Sequence, residues 1–572
     1  MSNIQNGNIP NQQQPPSFVP TQPTQPTQPP IVPSNVPILE PVQKMPVKNL
    51  KSVPRAYTTI EVVFSWICVI MGYLFCRSFA GGFNPMGAFI TVLLLFSVTA
   101  VALKINGTKF KAVPFIAAVS ALAVSSGLIL SSNGTVHFWS FTYCIVAYGY
   151  FVYASNGNAL EKGLSDFLPM DFLKSAIIVP FASIGSLFKA LFHGKAQGGG
   201  KLIIKIVIGA AFAFVPTVIV VALLSYDAAF SELLSGIFTF TLSNVISHLI
   251  SIGYGLLIGI YFFGLFISSK DKKCANIMTA ESCRKAYKAV KIMPKITAVA
   301  ATVPPAVIYV IFFFSQIKYY IAGFKGELPE GVSYAAFARD GFFELCTVSF
   351  INLLIILAVS VFVKRSENGK NPIGKVISIV YSVFTLILIS TAIAKMAMYI
   401  DCYGLTRKRV YATWFMILLV LVFLIIIIKQ FFAKFKAVAV SVGVCVVLFC
   451  ALSFSDVDGF IAKYNVDRYL DGTVDCIDID ELERLGDSGI PEMVRLAEKL
   501  DVILDTDIKE VVIRKKFPNV STENNKWYTY YTLAKALKKS AATFENEHEG
   551  IFSYTVPAIR AESALDRVFG EK

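Results

Sequence analysis

The sequence predicts an all-α fold: a polytopic helical membrane bundle of about eleven spans, a disordered N-terminal tail and a small, mainly helical C-terminal soluble domain. Composition is the first reason. Apolar residues make up 55% of the 572 positions and charged residues 16%, with a mean hydropathy of +0.61. Soluble domains carry about a quarter charged residues. The second reason is the repetition of apolar runs of roughly 20 residues, the length that an α-helix needs to cross a bilayer.

Eleven runs meet this criterion. In chain order they are 58–77, 86–103, 112–131, 135–154, 202–224, 249–268, 297–317, 345–363, 376–400, 411–428 and 436–454. Proline interrupts the fifth at Pro216 and the seventh at Pro304 and Pro305, which kinks a membrane helix without abolishing it. Another apolar segment, 166–193, contains Pro180 and several lysines, and we interpret it as an interfacial or re-entrant helix. Counting it as a span would give twelve, and losing a weak span would give ten.

Three regions follow from this pattern. Residues 1–55 are rich in proline and glutamine and cannot bury a core, which predicts a disordered cytoplasmic tail. Residues 56–454 form the membrane domain, and 455–572 form an acidic soluble domain. In the soluble domain we predict a short helix at "ELERLG" with Asp480 as its N-cap, a helix with Pro491 at its start and an amphipathic helix at 525–547, whereas "KEVVIRKKF" could be a strand or a helix. Because more than fifty polar residues precede the first apolar run, we expect that run to be a retained signal anchor.

Charge predicts the orientation. Residues 1–454 hold 36 Lys and Arg against 15 Asp and Glu, whereas 455–572 hold 16 against 23. With the N-terminus inside, cytoplasmic segments collect 28 of those 36 basic residues. The C-terminus then lies outside a plasma membrane, which we take to be bacterial from the proline-rich tail and the missing signal peptide. The basic loop 269–296 could contact anionic lipid or a cytoplasmic protein, and nucleic acid is not indicated as a partner.

No constellation for catalysis stands out. The four histidines are scattered, and no HExxH, P-loop or GxSxG motif occurs. The sequence therefore predicts no catalytic residue, cofactor or metal site, and it leans against an enzyme. The ten cysteines form no CxxC pair; Cys402 and Cys476 would both face outside, but nothing brings them together, so we expect them unpaired.

Ionisable residues inside spans are a better functional clue, since each is costly in a bilayer. Glu61 lies near the cytoplasmic end of the first span, and we expect it to snorkel. Asn352 is expected to hydrogen-bond across helices. Lys395 lies about 8 Å of helix below the outer end of span nine. Glu344 lies at a similar depth where span eight begins, and either pairs with Lys395 or leaves it to snorkel to outer headgroups.

A basic corner lies between spans nine and ten. Arg407, Lys408 and Arg409 crowd the outer turn of "AKMAMYIDCYGLTRKRVYATWFM". We expect external acids to hold this corner, from the loop before span eight, where Asp340 lies, and from the acidic C-terminal region. Lys395 with Glu344 would be the deepest such pair.

Three segments also resemble a known family. "YAAFARDGFFEL", the corner segment quoted above and "YNVDRYLDGTVDCIDIDELERLG" occur here in that order. They are similar to the bacterial multi-pass membrane proteins catalogued as domains of unknown function 4153 and 4173, over roughly residues 56–570 and most strongly from 334 to 490. The resemblance implies a helical membrane domain with a soluble C-terminal segment, and it implies no reaction or ligand.

The resemblance, with the charge argument for Asp340, points to one structural or functional corner. Its members are Asp340, Glu344, Lys395, Tyr399, Tyr403, Gly404, Arg407 and Arg409. Arginine is frequent at the position of Lys395 in similar proteins, so the charge is preserved. Gly404 would allow a tight left-handed turn between spans.

Three classes of function remain open at this stage. We favour a non-enzymatic sensor or regulatory scaffold of the cell envelope, with an external domain above a helical bundle. The second class is a transporter or channel for a small solute or lipid, which would draw support from broken membrane helices. The third is a membrane enzyme acting on lipid or cell-wall precursors.

Overall fold

The described part of the chain is built from α-helices. The computed structural model describes residues 55–80, 84–192, 220, 242–325, 342–364, 371–502, 524–548 and 554–570. Of the first fifty-six residues, which form a unit of their own, only Arg55 and Ala56 are described. The helices are α1 (Thr59–Ala80), α2 (Pro85–Ile105), α3 (Ala112–Leu130), α4 (Gly134–Ser155), α5 (Leu168–Leu173), α6 (Val179–Phe181), α7 (Ser186–Leu191), α8 (Leu242–Lys270), α9 (Ala280–Ala289), α10 (Lys295–Lys325), α11 (Phe342–Phe362), α12 (Pro372–Tyr403), α13 (Arg407–Phe431), α14 (Ala437–Phe454), α15 (Val457–Leu470), α16 (Ile479–Arg484), α17 (Ile490–Lys499), α18 (Asn524–Glu547) and α19 (Val556–Phe569).

These helices confirm the predicted fold class. Within the described ranges, nine are long and apolar enough to cross a membrane: α1, α2, α3, α8, α10, α11, α12, α13 and α14. Helix α4 is as long as α1 and packs beside α3, but it carries four tyrosines and a histidine and is not one of the nine. The predicted span 202–224 lies outside the described residues, apart from Val220. The count of eleven therefore stays a prediction.

Helix ends and loops lie on two opposite faces. At one end of the antiparallel pair α1 and α8, Tyr73 Oη lies 2.8 Å from His248 Nδ1. At the other end, Lys270 Nζ lies 2.8 Å from Glu61 Oε1. We call the first the junction face; it carries turns 131–133 and 404–406 and the described residues from 455 onward. We call the second the loop face; it carries 106–111, 156–167, 271–294 and 432–436.

Glu61 differs from its sequence prediction. Its carboxylate is buried rather than snorkelling, because it has two structural partners. It forms a reciprocal capping box with Thr58, whose backbone N–H donates to Glu61 Oε2 at 3.0 Å. Lys270, which also donates to Asn106 at 2.7 Å, neutralises the charge. The pair fastens the start of α1 to the end of α8.

The segment 156–192, which follows α4, enters the helix bundle and returns, which is the path that the re-entrant interpretation predicts. It contains α5, a π-helical turn (Lys174–Ile178), α6 and α7. At its deepest described contact, Tyr261 Oη donates to Ala176 O at 3.0 Å, about 14 Å along α8 from the loop face. It then returns, and Ser268 Oγ donates to Ser183 Oγ at 2.7 Å near the end of α8.

A first group of helices, α1–α4 and α8 with the re-entrant segment, shares one aromatic core. Phe64 and Phe266 lie at its centre with ring centroids 4.4 Å apart. Glycines bring α1 and α8 into close contact. A Cβ added at Gly72 would lie 2.0 Å from the carbonyl oxygen of Gly255, and one at Gly255 would lie 2.7 Å from Tyr73 Cα. Small residues four apart, here Gly255 and Gly259, are typical of tightly packed membrane helices.

We therefore expect Gly255→Ala to destabilise the protein by about 1–3 kcal/mol, because the added methyl group must push two backbones apart. Gly253→Ala is the matched control on the same helix, since nothing lies within 4 Å of its new Cβ. That control should be neutral or slightly stabilising, as alanine favours helix. Unfolding of the purified protein by denaturing detergent measures both. Equal midpoints would contradict the close packing of α1 and α8.

A second group consists of α10–α13. Its core includes Tyr381, Leu388 and Phe423. As predicted, Asn352 bonds across helices, with Nδ2 donating to Thr385 Oγ1 at 2.9 Å. Helix α10 runs without interruption through its two prolines.

The two groups meet through few described elements. Helix α14 packs against α3 of the first group and α13 of the second. On the loop face, Arg284 of α9 pairs with Glu161 before α5. On the same face, Tyr287 Oη and Lys291 Nζ donate to Ser360 O of α11 at 3.1 and 3.0 Å. The basic loop thus contacts both groups.

The C-terminal helices α15–α19 form a compact helical layer on the junction face. Its core contains Ile461, Leu482 and Met493, all fully buried. The predicted helix with Pro491 in its first turn is α17, and the predicted helix at 525–547 lies within α18. The prediction for "KEVVIRKKF" lies outside the described residues.

One predicted N-cap in this layer is wrong. The cap of α16 is Asp478, not Asp480, and its side chain accepts from the backbone N–H of Glu481 at 3.0 Å. The earlier start brings Ile479 into the helix, three residues before Leu482. Both side chains are then buried on one face of the helix.

Candidate functional site at the junction face

The site is centred on a buried carboxylate. Asp458 lies in the first turn of α15, and its side chain is 0% exposed. It accepts four hydrogen bonds from two other parts of the chain. Asn133 Nδ2 donates to both carboxylate oxygens, at 2.9 and 2.8 Å. Arg407 donates in parallel from Nε at 2.9 Å and from Nη2 at 2.6 Å. A two-pronged arginine contact of this kind is the strongest ordinary form of ion pair.

Asn133 is held by its second role as a helix cap. Its Oδ1 accepts from the backbone N–H groups of Thr135 and Val136, at 3.0 and 3.2 Å, at the start of α4. The amide oxygen is thereby committed to the helix, and the amide nitrogen is left to donate to Asp458. The turn between α3 and α4 is thus oriented toward the C-terminal helices.

Arg407 is positioned by the turn between α12 and α13. It is the first residue of α13, and the turn before it contains Gly404 with φ 73° and ψ −173°. Asn465 of α15 fixes this turn from both sides. Its Oδ1 accepts from Leu405 N at 2.7 Å, and its Nδ2 donates to Leu405 O at 2.8 Å. Leu405 itself is buried in the core of the C-terminal helices.

The predicted corner is partly assembled around this turn. The guanidinium of Arg409 lies 4.1 Å from the centroid of the Tyr399 ring, and it donates to the carbonyl oxygen of Tyr403 at 2.9 Å and to that of Gly404. The rings of Tyr399 and Tyr403 lie edge to face at 5.2 Å. These contacts bring Tyr399, Tyr403, Gly404 and Arg409 into one cluster beside Arg407. Gly404 has the predicted positive φ, but its ψ is extended rather than left-handed helical.

A second ion pair joins the corner to the C-terminal helices with the charges reversed. Arg468 of α15 lies 3.3 Å from Asp401 and donates to Ile400 O at 3.3 Å. The residue before Arg468 on α15, Asp467, pairs with Arg495 of α17 at 2.5 Å. Although partial burial opposes it, hydrogen bonds from the Arg495 guanidinium to Asp467 and Glu492 raise the pKa of Arg495.

The structure describes two of the three remaining predicted residues. Lys395 is buried two turns deeper on α12, Glu344 is exposed at the start of α11, and Asp340 lies outside the described residues. The pairing of Lys395 with Glu344 therefore stays a prediction.

If Lys395 and Glu344 do pair, Lys395→Glu and Glu344→Lys should each lower the yield of folded protein, because each places two like charges near one depth of the bilayer. The double variant should restore most of the yield. Fluorescence-detected size-exclusion chromatography of the three variants measures this. A double variant no better than the worse single one would exclude the pairing.

The site contains three residues that the sequence analysis did not single out: Asn133, Asp458 and Asn465. The available signal was weak. Asp458 lies four residues after the last apolar span, and Asn133 lies in a polar turn between two spans, but nothing in the sequence relates these positions to Arg407. Among the described residues, no group of three His, Cys, Asp or Glu lies close enough to hold a metal ion. All ten cysteines, including Cys402 and Cys476, are free.

Together, the fold and the site define a multi-pass helical membrane protein whose C-terminal helices are joined to the bundle by a buried ion pair. The family model described as Domain of unknown function (DUF4153) matches residues 91–496. Because the match covers most of the chain, the protein belongs to this family. The matched range includes Asn133, Arg407 and Asp458. It ends at residue 496, whereas the sequence resemblance extended to about residue 570. A search of curated proteins gives no match, and a search of solved structures gives none.

Proposed function

We propose that the protein is a non-enzymatic sensor or regulatory scaffold of the bacterial cell envelope. One observation carries the proposal: the buried carboxylate of Asp458 binds both helix groups at once, through Asn133 of the first and Arg407 of the second. A change in the C-terminal helices would therefore alter how the two groups sit against each other. On the loop face, α9 contacts the same two groups and would receive that change.

For a sensor, the two faces must lie on different sides of the membrane. We propose that the loop face is cytoplasmic and that the C-terminal helices lie outside. The basic loop 269–296 supports this orientation, since Lys and Arg are enriched in cytoplasmic loops. Exposed basic residues on α9, such as Lys285, would also allow this loop to contact anionic lipid or a cytoplasmic protein.

Two native cysteines test the orientation. Cys476 is exposed among the C-terminal helices, and Cys283 is partly exposed on α9. A membrane-impermeant maleimide added to intact cells should label Cys476 and leave Cys283 unlabelled until the membrane is permeabilised. Peptide mapping by mass spectrometry identifies the labelled residue, and Cys476→Ser and Cys283→Ser are the controls. Labelling of Cys283 alone in intact cells would reverse the topology and contradict external sensing.

One observation favours a transporter as the second candidate. The re-entrant segment is a broken helix that holds two buried charged residues, Asp171 and Lys174, beside a π-helical turn. Leu160 N donates to Asp171 at 3.0 Å, and Lys174 lies over the Tyr153 ring at 5.6 Å. Broken helices and π-turns are frequent at transport and binding sites. Solute uptake by vesicles that is abolished by Asp171→Asn would favour this candidate over the scaffold.

A further inference from the structure

A pocket of about 280 Å³ opens on the junction face beside Asp458. The side chains that matter for its chemistry are Asp456, Phe460, Lys463, Ser488, Glu492 and Arg560. They come from the cap and first half of α15, from the first two turns of α17 and α19, and from the short turn before α17. The volume is smaller than that of a typical pocket for a drug-sized molecule. It suits a small polar group.

The walls of the pocket carry both signs of charge. Lys463 has no hydrogen bond or ion pair within the described part of the chain, and Arg560 reaches only one acid, Asp456, at 4.0 Å. Both cations can therefore bind an anion. Glu492 accepts from Arg495 at 2.6 Å, and Asp456 accepts from Gly459 N and Ser488 Oγ at 3.0 and 2.8 Å. Each carboxylate has capacity to accept further bonds.

This charge pattern selects among small ligands. A simple anion would meet two carboxylates, and a simple cation would meet Lys463 and Arg560. A zwitterion can place each of its charges against the opposite one. The starts of α17 and α19 add backbone dipoles that favour the negative end of such a ligand near Arg560.

The position of the pocket points to a membrane lipid. Helix α14 ends at Phe454, only two residues before Asp456, and α19 packs against α3. The pocket therefore lies where the bundle leaves the bilayer. Phe460, in its wall, is 60% exposed, and Ile559, next to Arg560, is 53% exposed. Exposed apolar side chains at this level suit the first methylenes of an acyl chain.

We propose that this pocket binds a phosphoethanolamine group, carried by a lipid. The phosphate lies against Arg560 and Lys463, and the ammonium lies against Glu492 and Asp456. The inference rests on the proposed sensor function, for which it supplies the ligand. Asp456 would pass binding to the junction, because it precedes Asp458 by two residues and its partner Ser488 lies 3.1 Å from Ser132, next to Asn133.

The test uses the full-length protein in nanodiscs of phosphatidylcholine, alone or with added phosphatidylethanolamine or phosphatidylglycerol. Native mass spectrometry counts the lipids that the protein retains. We expect selective retention of phosphatidylethanolamine, and about tenfold less of it by Arg560→Gln, which removes a charge-assisted hydrogen bond. Arg567→Gln is the matched control, since Arg567 lies two turns along α19, is similarly exposed and pairs with Glu498 at 3.7 Å. It should retain the lipid like the unchanged protein.

A second arm separates a lipid from a free ligand. Soluble glycerophosphoethanolamine is titrated calorimetrically into phosphatidylcholine nanodiscs holding the protein. Saturable binding that Arg560→Gln weakens, without selective lipid retention, would support the site and identify a free zwitterion as the ligand. Equal retention of phosphatidylglycerol, or equal loss in both arginine variants, would overturn the proposal.

Failure of the pocket and failure of the sensor are distinguishable. Selective binding of phosphatidylethanolamine that leaves hydrogen exchange at turns 131–133 and 404–406 unchanged would support the lipid pocket and contradict the sensor function. If the unchanged protein retains no phosphatidylethanolamine but Asp458→Asn alters hydrogen exchange at these turns, only the lipid pocket would be contradicted.

Discussion

Asp458→Asn is expected to lower the free energy of unfolding by about 3–5 kcal/mol, the range for breaking a buried ion pair by removing one partner. The substitution leaves the guanidinium of Arg407 without a counter-charge. Because only about a third of that side chain is exposed, water cannot fully replace the lost carboxylate. In addition, one carboxylate oxygen, an acceptor, is replaced by an amide NH₂ group, a donor. That group would face the N–H donors of Asn133 or Arg407. Denaturant unfolding followed by tryptophan fluorescence of the full-length protein measures the loss.

The matched control is Asp467→Asn on the same helix. Asp467 also pairs with an arginine, Arg495. Unlike the fully buried Asp458, however, Asp467 is 39% exposed, and Arg495 is 34% exposed. Such a pair contributes about 0–1 kcal/mol. Equal losses in the two variants would mean that the burial of Asp458 has no energetic importance.

Gly404→Ala should destabilise the turn between α12 and α13 by about 3 kcal/mol, through two separate effects. The backbone at φ 73° and ψ −173° is one that residues with a Cβ rarely adopt. In addition, the new Cβ would lie 2.4 Å from Asn465 Oδ1, which holds Leu405 N. We expect the C-terminal helices to detach from the corner, seen as faster proteolysis after residue 454 and a lower unfolding midpoint.

A control glycine separates local strain from a general effect of alanine in this region. Gly443 lies within α14 with ordinary helical backbone and nothing within 4 Å of an added Cβ. Gly443→Ala should therefore leave both measurements unchanged. In Gly404→Ala combined with Asn465→Ala, the clash is relieved but the backbone strain persists, so only part of the loss should be recovered. A Gly404→Ala protein as stable as Gly443→Ala would show that the turn does not require glycine.

Much of the membrane architecture could be predicted because the bilayer imposes one strong rule. Apolar runs of helix length can satisfy their backbone only as helices, so most helix bounds fell within a few residues of the apolar runs. That the segment 166–193 does not form a complete span was also predictable, since Pro180 and the lysines of this segment are poorly suited to one. The N-cap of α16 was misplaced because two acids, Asp478 and Asp480, are both good caps and only packing of Ile479 decides between them.

The centre of the site could not be predicted for a different reason. Asp458 lies 325 residues after Asn133 and 51 residues after Arg407 along the chain. Each is an ordinary polar residue in a turn or in the first turn of a helix. Only folding places them together. Glu61 shows the same limit: its position near a helix end suggested snorkelling, whereas the packing of α8 supplies Lys270 and buries it.

The central claim is that Asp458 couples the C-terminal helices to both helix groups. Hydrogen–deuterium exchange of the full-length protein in nanodiscs, compared with Asp458→Asn and Asp467→Asn, tests it most directly. The account predicts faster exchange in Asp458→Asn at turns 131–133 and 404–406 and in α9 on the opposite face, with the core around Ile461 and Met493 still protected. Faster exchange confined to the first turn of α15, with both turns and α9 unchanged, would contradict it.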